Sequence, residues 1–195
     1  MIKYKLILPV LIIFMGTAFA QQTIRKQFHD NGILKAIGPM LKGKRTGIWK
    51  QYDLEGNLAS IGNFINGKLE GKFTTYTPSG KVSAIAFLRN NQPNGLSQSF
   101  YENGKLKTHV NFKDGKKHGQ MKVYHSNGKL NLSGNYLYDI PDGTISLFNE
   151  DGKVIKIEKY NAGTKHGEWK FYTIEGELKK IEVYEYGEKI SSEDF

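Results

Sequence analysis

The chain has 195 residues, a formal net charge of +9 at pH 7 and no cysteine. This length suits one domain or one repeat array, and without disulfides packing alone must hold the fold together. The charge is uneven, because residues 23–118 carry sixteen Lys and Arg against six Asp and Glu, whereas residues 119–195 carry ten against thirteen. Such asymmetry is typical of a solvated face, and it leaves a basic half that suits an acidic partner or anionic lipid.

Residues 1–20 have the pattern of a signal peptide. Lys3 and Lys5 precede an apolar run over residues 6–14, and residues 18–20 (Ala-Phe-Ala) form a small-x-small cleavage site. We expect cleavage between Ala20 and Gln21. An uncleaved anchor is the alternative, but the run is shorter than the ~20 apolar residues of a spanning helix. The mature protein is therefore predicted to be exported to the periplasm, the outer envelope or the extracellular space.

From residue 23 onwards the sequence repeats every twenty-four residues. Counting from Thr23 gives seven units over residues 23–190, followed by a short acidic tail, residues 191–195. Position one of units two to seven is always glycine: Gly47, Gly71, Gly95, Gly119, Gly143 and Gly167. Position six is always aromatic: Phe28, Tyr52, Tyr76, Phe100, Tyr124, Phe148 and Tyr172. Position ten is always glycine: Gly32, Gly56, Gly80, Gly104, Gly128, Gly152 and Gly176.

Each unit is predicted to be a β-hairpin. Segments such as "FYENGKL" place turn residues between short runs of aromatic and branched side chains, with too few residues between glycines for a stable helix. A three-residue loop, formed by a type I turn and a left-handed residue, requires glycine at its end, which explains position ten structurally. The fold class is therefore all-β, an elongated single-layer antiparallel meander of about fourteen strands.

The hairpin loop also predicts the register of each unit. It pairs the aromatic at position six with the Leu or Val at position twelve, and on the other face it pairs large apolar residues. The expected pairs on that face are Trp49 with Ile61, Phe73 with Ile85, Ile145 with Ile157 and Trp169 with Ile181. Both faces should then be partly apolar, one of them richer in stacked aromatic rings. Small residues such as Gly38, Gly62 and Gly134 are expected to leave room for neighbouring rings.

A second turn joins one unit to the next. In five units it contains a glycine, whereas Asn91 and Asp139 stand in the same place in the other two. Asn and Asp tolerate the left-handed region better than other residues after glycine, so we expect the same backbone there.

The repeated pattern, an aromatic followed by Gly-x-x-His-Gly, a further aromatic and a further glycine, resembles the MORN repeat. It is more similar to the bacterial MORN repeat variant, whose members are often labelled antitoxins of toxin–antitoxin systems. The resemblance covers residues 23–190, is strongest at residues 112–124 and 160–172, and is weakest at "NNQPNGLSQSF", where the histidine is missing. It implies an elongated sheet of hairpins that serves as a scaffold or contact surface, and it implies no chemistry. An exported chain would fit the antitoxin label only as an immunity-like partner of a toxin outside the cytoplasm.

The sequence gives no catalytic or metal site. His118 and His166 occupy the same position two units apart, roughly 20 Å, whereas zinc ligands stand ~2.1 Å from the metal. His29 and His125 are four units apart and are likewise too distant to share a metal ion, and His109 has no equivalent histidine in another unit. No nucleophile, base and orienting acid recur together, and no repeated glycine precedes a helix to cradle a phosphate. We therefore predict no enzyme activity, no cofactor and no metal.

The predicted function is an exported scaffold that presents a contact surface to a protein partner. The candidate contact residues are Trp49 and Trp169, expected to be exposed, and the Lys-His pairs of the repeated Lys-His-Gly segments: Lys117, His118, Lys165 and His166. The alternative is a module that binds anionic lipid or a cell-envelope polymer. Nucleic acid is disfavoured by export, although lysines alternate with aromatic residues.

Overall fold

The structure is a computed structural model that describes residues 21–195, and these residues form one antiparallel sheet without a helix. The predicted signal segment, residues 1–20, lies outside the described residues. Without a helix, residues 21–195 contain no helical segment that is long and apolar enough to cross a membrane. The strands are β1 (Thr23–Phe28), β2 (Leu34–Leu41), β3 (Lys44–Arg45), β4 (Gly47–Tyr52), β5 (Leu58–Ile65), β6 (Lys68–Tyr76), β7 (Val82–Arg89), β8 (Gln92–Phe100), β9 (Leu106–Lys113), β10 (Lys116–Tyr124), β11 (Leu130–Leu137), β12 (Ile140–Pro141), β13 (Gly143–Phe148), β14 (Val154–Asn161), β15 (Thr164–Lys165), β16 (Gly167–Tyr172), β17 (Leu178–Glu185) and β18 (Glu188–Asp194).

The all-β meander of hairpin repeats is confirmed, because each strand pairs antiparallel with its neighbours in the chain. Eighteen strand segments stand where about fourteen strands were expected. Three of the extra segments, β3, β12 and β15, are two residues long, and a single residue separates each of them from the following strand. The fourth, β18, pairs with β17 and contains residues 191–194 of the predicted acidic tail.

The hairpin loops have the predicted conformation. In the first unit the Gly32 amide donates to the His29 carbonyl at 2.9 Å, and the His29 amide donates to the Ile33 carbonyl at 2.8 Å. This leaves a three-residue loop that ends at the glycine. All seven glycines at position ten have φ between 81° and 91°, the left-handed region that an L side chain rarely adopts.

The register beyond the loop differs from the prediction by one residue. Position six pairs with position twelve as expected, for example Tyr52 with Leu58, but a bulge between positions five and six shifts every pair after it. The four predicted pairs of large apolar residues are therefore wrong. The observed pairs are Trp49 with Gly62, Phe73 with Ala86, Ile145 with Glu158 and Trp169 with Glu182. In these four hairpins a large side chain thus faces a small or polar residue.

The turns between units contain two consecutive residues with positive φ. Asn91 and Asp139, at 71° and 72°, adopt the same backbone as the glycines at their position, as predicted. In every one of these turns the preceding residue also has a positive φ. The sequence did not indicate this, because lysine, alanine and tyrosine occur at that position: Lys42, Tyr138, Ala162 and Tyr186. Two left-handed residues are the requirement of a type I′ turn, whose twist matches that of the sheet.

The glycine at position one lies in a bulge, a role that the sequence pattern alone did not assign to it. Gly119 opens its hairpin opposite Tyr136, but it lies within β10 and not in a turn. Its φ is +92°, and the pairing of β10 with β9 shifts around it, between Lys117 and Met121. Glycine therefore recurs at position one because a bulge at the junction of two units requires a left-handed residue.

Both faces of the sheet are partly apolar, as predicted. One face bears Trp49, Phe64 and Ala36, all less than 9% exposed, and we call it the tryptophan face. The opposite face bears the aromatic residues at position six, because successive side chains of a strand alternate between faces. These rings are half-buried, except Phe28, which is 58% exposed at the β1 edge.

Side chains also connect each hairpin loop to the next one. Asn31, Asn103 and Asn127 donate to carbonyl groups of the following loop, those of Leu54, Ser126 and Glu150, at 2.8–3.0 Å. Because the donor and acceptor lie twenty-three residues apart, these bonds tie neighbouring units along one edge of the sheet.

Candidate functional site

Trp49 lies beneath a cation on the tryptophan face. Its ring packs over Gly38 of the neighbouring strand, where a Cβ would collide with the indole. The indole Nε1 donates to the Pro39 carbonyl at 2.9 Å, and the guanidinium carbon of Arg45 lies 4.2 Å from the ring centroid. The side chain is 1% exposed. The expectation that Trp49 is exposed is therefore wrong, because glycine admits the indole to the sheet surface and arginine covers it.

Trp169 has the same hydrogen bond and cation contact five units further along the chain. Its Nε1 donates to the Lys159 carbonyl at 2.9 Å, and the rings of Tyr160 and Tyr184 lie 5.3 and 5.0 Å away between centroids. The ammonium of Lys165 lies 4.5 Å from the ring centroid. Trp169 is 4% exposed, so it is not an exposed contact residue either.

Lys117 and Lys165, two of the predicted contact residues, lie on the tryptophan face. The Lys117 ammonium is 4.5 Å from the Tyr136 ring centroid, and that of Lys165 is 4.7 Å from Tyr184. Both lysines stand at position twenty-three of their units, the same place as Arg45, and each covers an aromatic ring of the next unit. Such cation–π contacts contribute about 0.5–2 kcal/mol each, so these cations have a packing role as well as a charge.

Glutamates replace the small residues of this face in units six and seven. Glu182 is 9% exposed and accepts from Lys180 at 2.9 Å, from the Tyr184 hydroxyl at 2.8 Å and from Lys189 at 3.3 Å. The hydrogen bond from Lys180, followed by that from Tyr184, lowers the pKa of Glu182 to about 2. Its equivalent Glu158 pairs with Lys156 at 2.6 Å. Burial and the nearby Glu158 charge together raise the pKa of Tyr160 to about 12.

His118 is half-buried at the junction of two units. Its ring centroid lies 4.7 Å from that of Tyr138, with the two planes tilted by 55°. Its Nδ1 atom is buried and has no hydrogen-bond partner. Lys113 lies near the same tyrosine, and its interaction with the Tyr138 side chain raises the pKa of Lys113. The histidine of the first Lys-His-Gly segment is therefore packed against a tyrosine of the following turn.

His166 is exposed and lines a cavity instead. Tyr186, which follows His166 by the same twenty residues that separate Tyr138 from His118, is 93% exposed. The resulting cavity has a volume of about 330 Å³. It is lined by Asn161, Ala162, Thr164, Lys165, His166, Glu185 and Tyr186. The structure thus brings Lys165 and His166 together in one pocket.

The opposite face carries exposed apolar side chains that the sequence reasoning did not select. Ile48, Ile65 and Phe87 are 54%, 53% and 42% exposed. Each neighbours a residue of the tryptophan face in its strand, so strand alternation could have placed all three on the opposite face. Residues 21–195 contain no group of three His, Asp or Glu side chains that is arranged to hold a metal ion.

The comparison with protein families finds four consecutive matches. The model of the MORN repeat variant matches residues 45–66, 69–90, 93–114 and 117–138. Each match begins twenty-four residues after the previous one, at the cation or apolar residue of position twenty-three, and so repeats the period seen in the sequence and in the hairpins. No curated protein matches the chain.

Proposed function

Since the chain carries repeats of the MORN repeat variant family, we propose that it is an exported, non-enzymatic scaffold whose sheet presents a contact surface to another protein. MORN repeats are protein- or lipid-binding modules on an all-β scaffold that is typically non-enzymatic. Beyond this general role, we propose that the partner is a protein and that it binds one face of the sheet.

We choose the face opposite the tryptophan face as the contact surface because Ile48, Ile65 and Phe87 are exposed on it. All three lie on strands β4 to β7 of the opposite face, near the turns between units, and each is more than 40% exposed. On the tryptophan face the large rings are already covered by cations and by neighbouring rings, so a partner would gain little further apolar burial there. Covering exposed apolar side chains is the main source of favourable free energy in protein association.

A single-layer sheet also suits this role physically. It has no second layer to bury the half-exposed rings at position six, so they remain available along the length of the array. Because each unit repeats the same backbone, the contact residues stand at regular intervals on one surface. A partner with an extended or repetitive surface of its own would match this spacing.

Substitution of the three apolar residues tests the proposed contact. A tagged chain is purified from envelope fractions, the co-purifying protein is identified, and binding is measured for Ile48→Ser, Ile65→Ser and Phe87→Ser. We expect each substitution to weaken binding, the strongest by about tenfold or more. Leu54→Ser and Ile174→Ser are matched controls, because these residues are 57% and 73% exposed but lie in hairpin loops. Equal losses for face and loop variants would contradict the choice of face.

Export is a separate part of the proposal. It is supported by Lys3 and Lys5, by the apolar run of residues 6–14 and by the Ala-Phe-Ala site at residues 18–20. We expect the protein isolated from cells to begin at Gln21. Mass spectrometry that finds the intact amino terminus on protein in the envelope would refute cleavage.

Anionic lipid or a cell-envelope polymer is a second candidate partner. It is favoured by the excess of sixteen basic over six acidic residues in the segment 23–118. The salt dependence of binding separates it from a protein partner, since exposed charges are screened by salt and apolar burial is not.

A further inference from the structure

The two Lys-His-Gly segments form the same local arrangement in two different states. In each, the histidine is followed after twenty residues by a tyrosine at the first left-handed position of the next turn: Tyr138, with φ 54°, and Tyr186, with φ 49°. The first tyrosine packs on its histidine with 4.7 Å between ring centroids. The second points outwards and is 93% exposed, and a cavity of about 330 Å³ lies beside its histidine.

The closed arrangement shows what kind of group fits against this histidine. The occupant beside His118 is a phenol ring, held at a tilt of 55° to the imidazole. The ammonium of Lys113 lies 5.7 Å from the centroid of this ring. Tilted contacts between aromatic rings at such distances are favourable because the edge of one ring meets the face of the other.

Polar side chains line the open cavity and could form hydrogen bonds with a phenol hydroxyl. Asn161 occupies the position in its unit that Lys113 occupies in the closed one, and it lines the cavity with Thr164 and Glu185. The asparagine amide and the threonine hydroxyl can donate hydrogen bonds to a phenol oxygen, while the glutamate carboxylate can accept a hydrogen bond from the phenol hydroxyl. Lys165 also lines the cavity, and its ammonium lies 4.5 Å from the Trp169 ring centroid.

We propose that the cavity beside His166 is a docking site for one tyrosine side chain of a protein partner. The partner's ring takes the place against His166 that Tyr138 takes against His118, and its hydroxyl meets Asn161 and Glu185. This rests on the proposed protein-contact function and adds to it one specific pocket at the junction of units six and seven. Aliphatic side chains lack both the ring contact with the imidazole and the hydroxyl.

The test is a nuclear magnetic resonance titration of the isotopically labelled protein with N-acetyltyrosinamide. We expect saturable shifts at the amides of Ala162, His166 and Tyr186, with a dissociation constant on the order of 1 mM for so small a probe. N-acetylleucinamide at the same concentrations should give shifts at least about fivefold smaller. Equal shifts for the two probes, or no saturable shift with the tyrosine probe, would overturn the proposal.

Variants at the two histidine–tyrosine pairs locate the binding. His166→Ala should abolish the saturable shifts, and Tyr138→Ala, which alters only the closed pair, should leave them unchanged. The reverse pattern would overturn the proposal. So would strong nuclear Overhauser contacts between the rings of Tyr186 and His166 in the free protein, since the chain's own tyrosine would then fill the cavity. Because this test uses a small-molecule probe, a negative result rejects the pocket without rejecting the scaffold function. The scaffold function is tested separately by the variants at Ile48, Ile65 and Phe87.

Discussion

The indole of Trp49 packs against Gly38, so that any side chain at residue 38 would occupy the space of the ring. The backbone of Gly38 is ordinary for an L residue, since its φ is not in the left-handed region, and the requirement for glycine there is purely steric. We therefore expect Gly38→Ala to displace Trp49 and to lower the free energy of unfolding by about 1–3 kcal/mol.

Removal of the indole should relieve the cost of Gly38→Ala. In a Trp49→Leu background the alanine has no ring to displace, so the double variant should lose less stability than the two single variants together. The measurement is thermal or urea unfolding of the four proteins in this cycle. Additive losses would show that Gly38 is not required by Trp49.

Gly104 represents the opposite kind of glycine. Its φ is +81°, and a Cβ built on it has no atom within 4 Å, so only the backbone conformation requires glycine. Gly104→Val should therefore lower the free energy of unfolding by about 1–3 kcal/mol, and Gly104→Asn by less, because asparagine tolerates the left-handed region. Comparison of the two melting temperatures tests this, and equal values would contradict the turn conformation.

Local backbone features were accessible from the sequence because each depends on a few adjacent residues. The glycine at position ten and Asn91 and Asp139 in the second turn carry the signal for left-handed backbone in their own residue type. The bulge beside position six carries no such signal. It depends on how two strands twist past each other, and it shifted the pairs predicted for Trp49 and Trp169 by one residue.

The burial of the two tryptophans was missed for a related reason. A single-layer sheet predicts open faces, but Arg45 and Lys165 extend along the surface and cover the indoles. The lysine of the repeated Lys-His-Gly segment is thus a packing residue on the tryptophan face. Its histidine has two environments, packed at residue 118 and lining a cavity at residue 166, and nothing within the three-residue segment distinguishes them.

Glu182 should make the stability of the sheet depend on pH in the acidic range. Its pKa in the folded protein is about 2, against 4.5 for an unperturbed glutamate. A lowered folded pKa contributes stability that is fully present above about pH 4.5 and is lost as the pH falls towards 2. We expect the melting temperature to fall over this range.

Substitution of Glu182 isolates its part of the acid response. Glu182→Gln removes the charge that Lys180 and Lys189 contact, so the variant should be less stable at neutral pH. The difference in melting temperature between wild type and variant should narrow between pH 4.5 and pH 2. Glu102→Gln, in an exposed hairpin loop, is the control, and its difference should stay constant. A constant difference for Glu182→Gln would show that its ion pairs do not contribute to the acid response.

Salt dependence should distinguish a protein partner from an anionic surface. The basic half contains cations that could face anionic lipid or polymer: Lys42, Lys44, Arg45, Arg89, Lys105, Lys107, Lys113, Lys116 and Lys117. If these bind such a surface, affinity should fall steeply with salt, because exposed charges are screened over ~10 Å at about 0.1 M and over ~3 Å at about 1 M. If a protein covers Ile48, Ile65 and Phe87, binding should change little, since apolar burial does not depend on screening.

The measurement is retention of the protein on anionic liposomes, on neutral liposomes and on its co-purified partner, at low and high salt. We expect stable retention on the protein partner at both salt concentrations and weak, salt-sensitive retention on anionic liposomes. Neutral liposomes control for apolar adsorption, since the exposed isoleucines would bind them regardless of charge. Strong, salt-sensitive binding to anionic liposomes without a stable protein partner would reverse the choice, because the cations of residues 23–118 would then supply the affinity that the opposite face was proposed to supply.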